Sequence, residues 1–147
     1  MSSKPDDAKF AKGFILILLF LVIGIPLIIT FSMYVVPTIW ANQYLTYQGH
    51  DGWSTIPEII LRKSGVCRDY ATLLLWKLDM KGGSSLLIVK RPGSNTTHAC
   101  VLIGDDLVLD PTSMKVQRFG YFYNQQWEVI KIVPYNKVNS YVGRSVL

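Results

Sequence analysis

Residues 14–36 read FILILLFLVIGIPLIITFSMYVV, a run without a single charged side chain. A helix that crosses a bilayer takes about 20 residues, so this run predicts a transmembrane helix. Pro26, shortly after Gly24, predicts a kink near its middle, which membrane helices tolerate. Tyr34 and Trp40 fall where amphipathic aromatics favour the interface. Residues 37–54 lose the apolar continuity. They are rich in Tyr, Gln and Asn, and read as an interfacial or short helical connector with a loop at QGHDG.

Beyond the connector, the apolar positions follow two different periods. Thr55, Pro57 and Glu58 form a helix start: Thr55 caps, Pro57 suits the first turn and Glu58 completes a capping box. That helix is expected to run to Lys63, with Ser64 and Gly65 as its stop. A second helix is expected over residues 66–81, ended by Gly82 and Gly83. Tyr70, Leu73, Leu74 and Lys77, with Ala71, Leu75 and Leu78, follow the 3.6 period. They leave most of its circumference apolar, which predicts the central buried helix of a domain. Short strand-like segments follow at 84–91, 98–103, 107–110 and 127–133. Gly104, Asp105 and Asp106 predict a tight hairpin turn, and residues 91–97 a polar loop. Helices followed by an antiparallel sheet make an α+β domain.

Charge and composition narrow the class. The chain has 147 residues, 15 Lys and Arg against 10 Asp and Glu, and two cysteines. The basic residues are scattered rather than clustered, which argues against a nucleic-acid partner. Two cysteines make no disulfide framework, and no Cys/His spacing suits a metal, so no cofactor or metal is expected. Lys4, Lys9 and Lys12 precede the apolar run, and the next basic residue is Arg62. The positive-inside rule then leaves residues 1–13 as a cytoplasmic tail and puts the rest of the chain on the extracytoplasmic side. The run exceeds a signal-peptide core of about 7–15 residues. Ile39 and Ala41 also make a poor cleavage site. An uncleaved anchor is therefore expected over a removed signal or a buried core helix.

Cys67 opens the central helix, where free N–H groups and the helix dipole stabilise a thiolate. His98 opens one strand and Asp110 closes its hairpin neighbour. The turn pairs Ile103 with Leu107, so Asp110 faces Cys100 and His98 is diagonal to it on the same face. Diagonal neighbours are about 7–8 Å apart, within reach of His and Asp side chains. Singly, each residue has a plainer reading: a structural thiol, a half-exposed histidine, a turn-forming aspartate. Together they compose a nucleophile, a base and a residue that orients the base. The Cys67 N–H supplies one oxyanion donor, and Trp53 or Gln48 a second. Asn95, Thr96 and Thr97 form a glycosylation sequon in the loop before His98. Residues 119–127, FGYFYNQQW, read as core and sheet packing, with a cleft wall as the alternative. Cys100 is expected as a buried free thiol rather than a disulfide partner of Cys67.

The blocks SGVCRDYATLL, THACVLI and LVLDPTS resemble the transglutaminase-like superfamily. Its signature is Gly-x-Cys-x-Asp-x-Ala opening a helix, a His opening a strand, and Asp-Pro ending the next strand. Gly65, Cys67, Asp69, Ala71, His98, Asp110 and Pro111 match it. The resemblance implies a papain-like α+β domain over residues 55–147, with a Cys67–His98–Asp110 triad and an acyl-enzyme intermediate. It implies a peptidase, deamidase or amide acyltransferase acting on a protein or peptide, and the apolar run is expected to hold it to the bilayer through residues 14–36. Asp69 is expected to fix the loop beside the nucleophile. A catalytically inactive binding module on the same membrane tether is the alternative. The chain departs from larger members in having little sequence ahead of Cys67 to form a substrate cleft.

Overall fold

The computed structural model describes residues 5–78, 83–124 and 127–138, with side chains from residue 11 onward except at 123 and 124. The chain divides into two compact units, Met1–Met33 and Tyr34–Leu147. The first is helical: α1 (Pro5–Leu19), a π-helical turn (Phe20–Gly24) and α2 (Ile25–Thr30). Pro26 lacks an N–H and crowds the preceding turn, and the wider π-turn just ahead of it accommodates both effects. Thr30 Oγ1 donates to the Pro26 carbonyl at 2.9 Å. The helical segment Ala11–Tyr44 is long and apolar enough to cross a membrane, and none of its most apolar window is buried.

Another π-turn (Phe31–Val35) leads into α3 (Val36–Tyr44) of the second unit, whose Thr38 and Ala41 are fully buried. A two-residue strand β1 (Thr46–Tyr47) follows, then α4 (Ile56–Arg62). Thr55 and Glu58 form the expected capping box, with the Thr55 N–H donating to Glu58 Oε2 at 2.7 Å. The stop of α4 differs from expectation. Lys63 itself takes the left-handed cap conformation, φ 53°. Ser64–Gly65 instead form β2, which pairs in parallel with β1. The pattern could not foretell this, because β1 supplies the hydrogen bonds from far back in the chain. The central helix α5 spans Cys67–Leu78, and its expected last turn, 79–81, lies outside the described residues.

The sheet contains β3 (Ser84–Lys90), β4 (Thr97–Ile103), β5 (Leu107–Asp110), β6 (Lys115–Arg118) and β7 (Glu128–Pro134). Its spatial order is β6-β5-β4-β3-β7, antiparallel throughout. Helix α5 covers one face, meeting Leu86, Ile88, Ala99, Val101 and Leu109. Helix α6 (Phe119–Asn124) caps the other face, where Phe122 joins Leu87, Val89, Cys100, Leu102 and Val108. Strand β3 reads LLIV without alternation because both its faces are buried. Strand β6 and helix α6 were not expected. Phe119, Phe122 and Trp127 pack on the sheet as anticipated, but from a helix and its flank rather than from strands.

Candidate active site

The loop into α5 is fixed before Cys67 is placed. The Thr46 N–H donates to the Lys63 carbonyl at 3.0 Å and the Gln48 N–H to the Gly65 carbonyl at 2.9 Å. Asp69, in the first turn of α5 and 1% exposed, accepts the Val66 N–H at 2.9 Å. The same oxygen, Oδ2, lies 2.6 Å from His50 Nε2, while His50 Nδ1 lies 3.0 Å from the Asp51 carbonyl. Arg62 donates to the Ser64 carbonyl and the Ser54 hydroxyl, both at 2.9 Å. Its Nη2 approaches Asp69 Oδ2 at 3.9 Å. Asp69 therefore caps backbone beside Cys67. His50 and Arg62, which back it, had no assigned role in the sequence. Their only sequence signal is polarity within a loop and on an exposed helix end.

His98 and Asp110 meet through the hairpin register. Val101 pairs with Leu109, Leu102 with Val108 and Ile103 with Leu107, so Asp110 stands opposite Cys100. His98 Nε2 lies 3.0 Å from Asp110 Oδ2. Ser113 Oγ donates to the same oxygen at 2.8 Å. Oδ1 accepts the Thr112 hydroxyl at 2.6 Å and the Thr112 N–H at 3.0 Å. Asn42 of α3 ties down this turn, donating to the Pro111 and Thr112 carbonyls at 2.8 and 3.1 Å. The Asp110 carboxylate is thus surrounded by donors. Burial opposes its charge, but the His98, Thr112 and Ser113 hydrogen bonds hold its pKa down at about 2.

His98 is shared. Besides Asp110, the Cys100 and Cys67 sulfurs also favour its charged form. Burial lowers its pKa, yet Asp110 foremost and then the two cysteines raise it to about 12. The two thiols that flank it respond oppositely. Burial also pushes up the Cys67 thiol, but His98 and the backbone N–H groups of Ala99 and Arg68 outweigh it and leave the pKa below the ordinary value. Cys100 also meets His98, but burial outweighs that contact and takes its pKa up to about 11. One cysteine is therefore disposed to ionise against His98 and the other to remain a thiol. Both are free.

A cavity of about 230 Å³ opens in front of the sulfur, lined by Trp53, Cys67, Arg68, Ile88, Thr97, His98, Ala99, Ile130 and Lys131. Trp53 reaches this cavity and Gln48 does not. Arg68 stacks over the Trp53 ring, 5.9 Å from its centroid. Asn95 is exposed on the loop before β4. The ligating atoms of His98, Cys100 and Asp110 lie within 4.8 Å of one another. The hydrogen bonds around Asp110 account for that cluster without an ion. The arrangement can generate a thiolate beside an imidazolium at the mouth of a small, partly apolar cavity.

A family model described as a transglutaminase-like domain matches residues 25–141. No curated protein matches the chain. Among solved structures, Legionella pneumophila LapG superposes with a TM-score of 0.58 at 16% identity, covering 67% of this chain and 60% of that one. The calcium-bound form of the same protein gives a TM-score of 0.55 at 14% identity, over 69% and 67% of the two chains. In the first superposition the chain spans less than two thirds of LapG. At such identities the likeness is one of fold.

Proposed function

Given that the chain belongs to the transglutaminase-like domain family, we propose that it is a membrane-anchored thiol acyltransferase or hydrolase acting on a peptide amide. The observation that carries this reading is the placement of His98 against the Asp110 carboxylate and on the wall of the same cavity as Cys67. In the reaction, the Cys67 thiolate attacks the amide carbonyl and forms a C–S bond. The Cys67 N–H meets the oxyanion, and Trp53 is the second donor candidate on the cavity wall. His98 gives its proton to the leaving amine as the C–N bond breaks. Water or a second amine then attacks the acyl-enzyme, losing its proton to His98 as the C–S bond breaks and the Cys67 thiolate is restored. Asp110 holds the imidazole in place and stabilises its charged form.

The test is alkylation of Cys67 by iodoacetamide across pH. A free thiol loses about tenfold in rate per unit below its pKa of about 8.5, because only the thiolate reacts. Here the Cys67 pKa is lowered and that of His98 raised, so the ion pair persists on the acid side of the ordinary thiol range. The expected profile stays high well below pH 8.5 instead of falling tenfold per unit. A profile like that of a free thiol, in a folded protein, would leave the non-enzymatic binding module as the better reading.

The anchor proposed for residues 14–36 has its own check. The full-length protein is expected to stay with membranes through an alkaline carbonate wash, as a spanning helix does and a peripheral attachment does not. With the N-terminus inside, protease added to intact cells is expected to reach the domain. Release by carbonate would remove the anchor, and protection from protease would reverse the orientation.

A further inference from the structure

Strand β7 carries a defect in its pairing with β3 that falls on the cavity. Leu87 pairs with Ile132 and Ile88 with Lys131, but Val89 pairs with Val129. Ile130 is therefore an extra residue, a β-bulge on β7. In a regular strand, consecutive residues face opposite sides of the sheet. Had the first register continued, Ile130 would pair with Val89 and turn toward the face that α6 covers. The bulge sets two residues of one strand against one of its partner, and so re-aims a side chain. Here Ile130 and Lys131 both stand against Ile88 on the α5 face, and both line the cavity that holds Cys67 and His98.

Packing does not require this arrangement. Ile130 is 49% exposed, whereas Val133, two residues further along from Lys131 on the α5 face, is 4% exposed. An isoleucine moved from one face to the other and left half-bare serves the space it lines. That space has an apolar wall of Ile88, Ala99 and Ile130, and two cations, Arg68 and Lys131, with no acidic residue among the described residues that line it. Arg68 Nη2 donates to the His50 carbonyl at 2.7 Å. Its Nε is buried without a hydrogen-bond partner among the described residues. The charges of Arg68 and Lys131 together favour a carboxylate over an ammonium in this space. The cavity volume of about 230 Å³ is below the roughly 300–1,000 Å³ of whole small-ligand sites, so it suits one or two residues of a longer chain.

We infer that the bulge at Ile130 builds the acyl-donor subsite. It selects a donor with an apolar side chain next to the reactive carbonyl and an acidic rather than basic residue before it. This rests on the thiol reading above and names its substrate class. The test uses three peptide chloromethyl ketones, acetyl-Glu-Leu, acetyl-Lys-Leu and acetyl-Glu-Gly, on the full-length protein. With each, the Cys67 thiolate forms a C–S bond and chloride leaves. Every rate is divided by the iodoacetamide rate on the same protein. The Glu-Leu probe is expected to react about tenfold faster than the Lys-Leu probe, from charge, and about tenfold faster than the Glu-Gly probe, from apolar contact. Ile130→Ser is expected to erase most of the Leu-over-Gly preference and Lys131→Glu to shrink the Glu-over-Lys preference. Ile132→Ser, equally exposed but directed to the other face, is expected to change neither.

Equal normalised rates for the three probes would overturn the inference and leave the thiol reading standing, as would Ile130→Ser and Ile132→Ser acting alike. Failure of iodoacetamide itself to react with Cys67 in the folded protein would remove the thiol reading, and this subsite with it.

Discussion

Cys67→Ala is expected to abolish covalent labelling by acyl-donor probes and any amide turnover, a loss on the order of 10⁴-fold or more. The size follows from the chemistry, since no other described side chain in the cavity is a nucleophile disposed to ionise. Cys100 is fully buried, and its pKa is raised to about 11, so it does not substitute. The protein should still fold, because Cys67 is only partly buried and its neighbours Ala71 and Leu74 carry the packing of α5. His98→Ala should cost nearly as much, and the double variant little more than either single one, since the groups act as a unit. Asp110→Asn is the discriminating variant. It keeps the shape and removes the carboxylate acceptor whose hydrogen bond most raises His98. The His98 pKa then falls, fewer molecules carry an imidazolium at neutral pH, and Cys67 loses its counter-charge. Iodoacetamide labelling should drop about tenfold near pH 6, yet approach the wild-type rate near pH 9, where the thiolate forms unaided. An Asp110→Asn profile that overlays the wild type at both pH values would show that the carboxylate does not govern the thiol.

The parts of this fold legible in sequence are those with local causes. The capping box at Thr55 and Glu58 and the Gly104 turn each act within a few residues, and the start of α4 and the β4–β5 hairpin stand where the pattern put them. The His98–Asp110 contact was legible for the same reason, because a tight turn fixes the register that brings them together. What escaped depends on distant partners. Strand β6 and helix α6 lie in KVQRFGYFYN, where aromatics and a glycine obscure either period, and α6 exists because the sheet has a second apolar face to cover. The bulge at Ile130 is invisible in EVIKIV, since it is defined only by pairing with β3. The site also bridges more than the hairpin geometry suggested. His98 and Cys100 alternate onto the face away from α5, while Cys67 packs with the α5 side. Strand β5 ends at Asp110, so Thr97 to Ala99 have no β5 neighbour, and at this open end His98 and Cys67 line one cavity. The backing of Asp69 by His50 and Arg62 was hidden too, because it joins a loop, a helix end and a helix start.

That backing gives the second large effect, on stability. Asp69→Ala is expected to destabilise the fold by about 1–3 kcal/mol, the range for leaving a buried donor without its acceptor. Asp69 is 1% exposed, and its Oδ2 alone meets the Val66 N–H, His50 and Arg62. Truncation leaves that N–H without its acceptor and the Arg62 charge without its nearest carboxylate. Gly65→Ala attacks the same contact from the other side. A Cβ at Gly65 would stand 2.6 Å from Asp69 Cβ and 2.7 Å from Oδ2. Glycine is required there for space, since its φ is not positive. Forcing the methyl in should cost about 1–3 kcal/mol by overpacking. Both losses are read as urea midpoints at an unchanged m-value. The two sites touch, so their effects should not add. Because Val66 and Gly65 lead directly into Cys67, the Gly65→Ala protein, where still folded, should also alkylate more slowly at acid pH. A loss under about 1 kcal/mol for Asp69→Ala, within the range of ordinary surface changes, would mean that this carboxylate does not hold the loop and that β1 and β2 position Cys67 on their own.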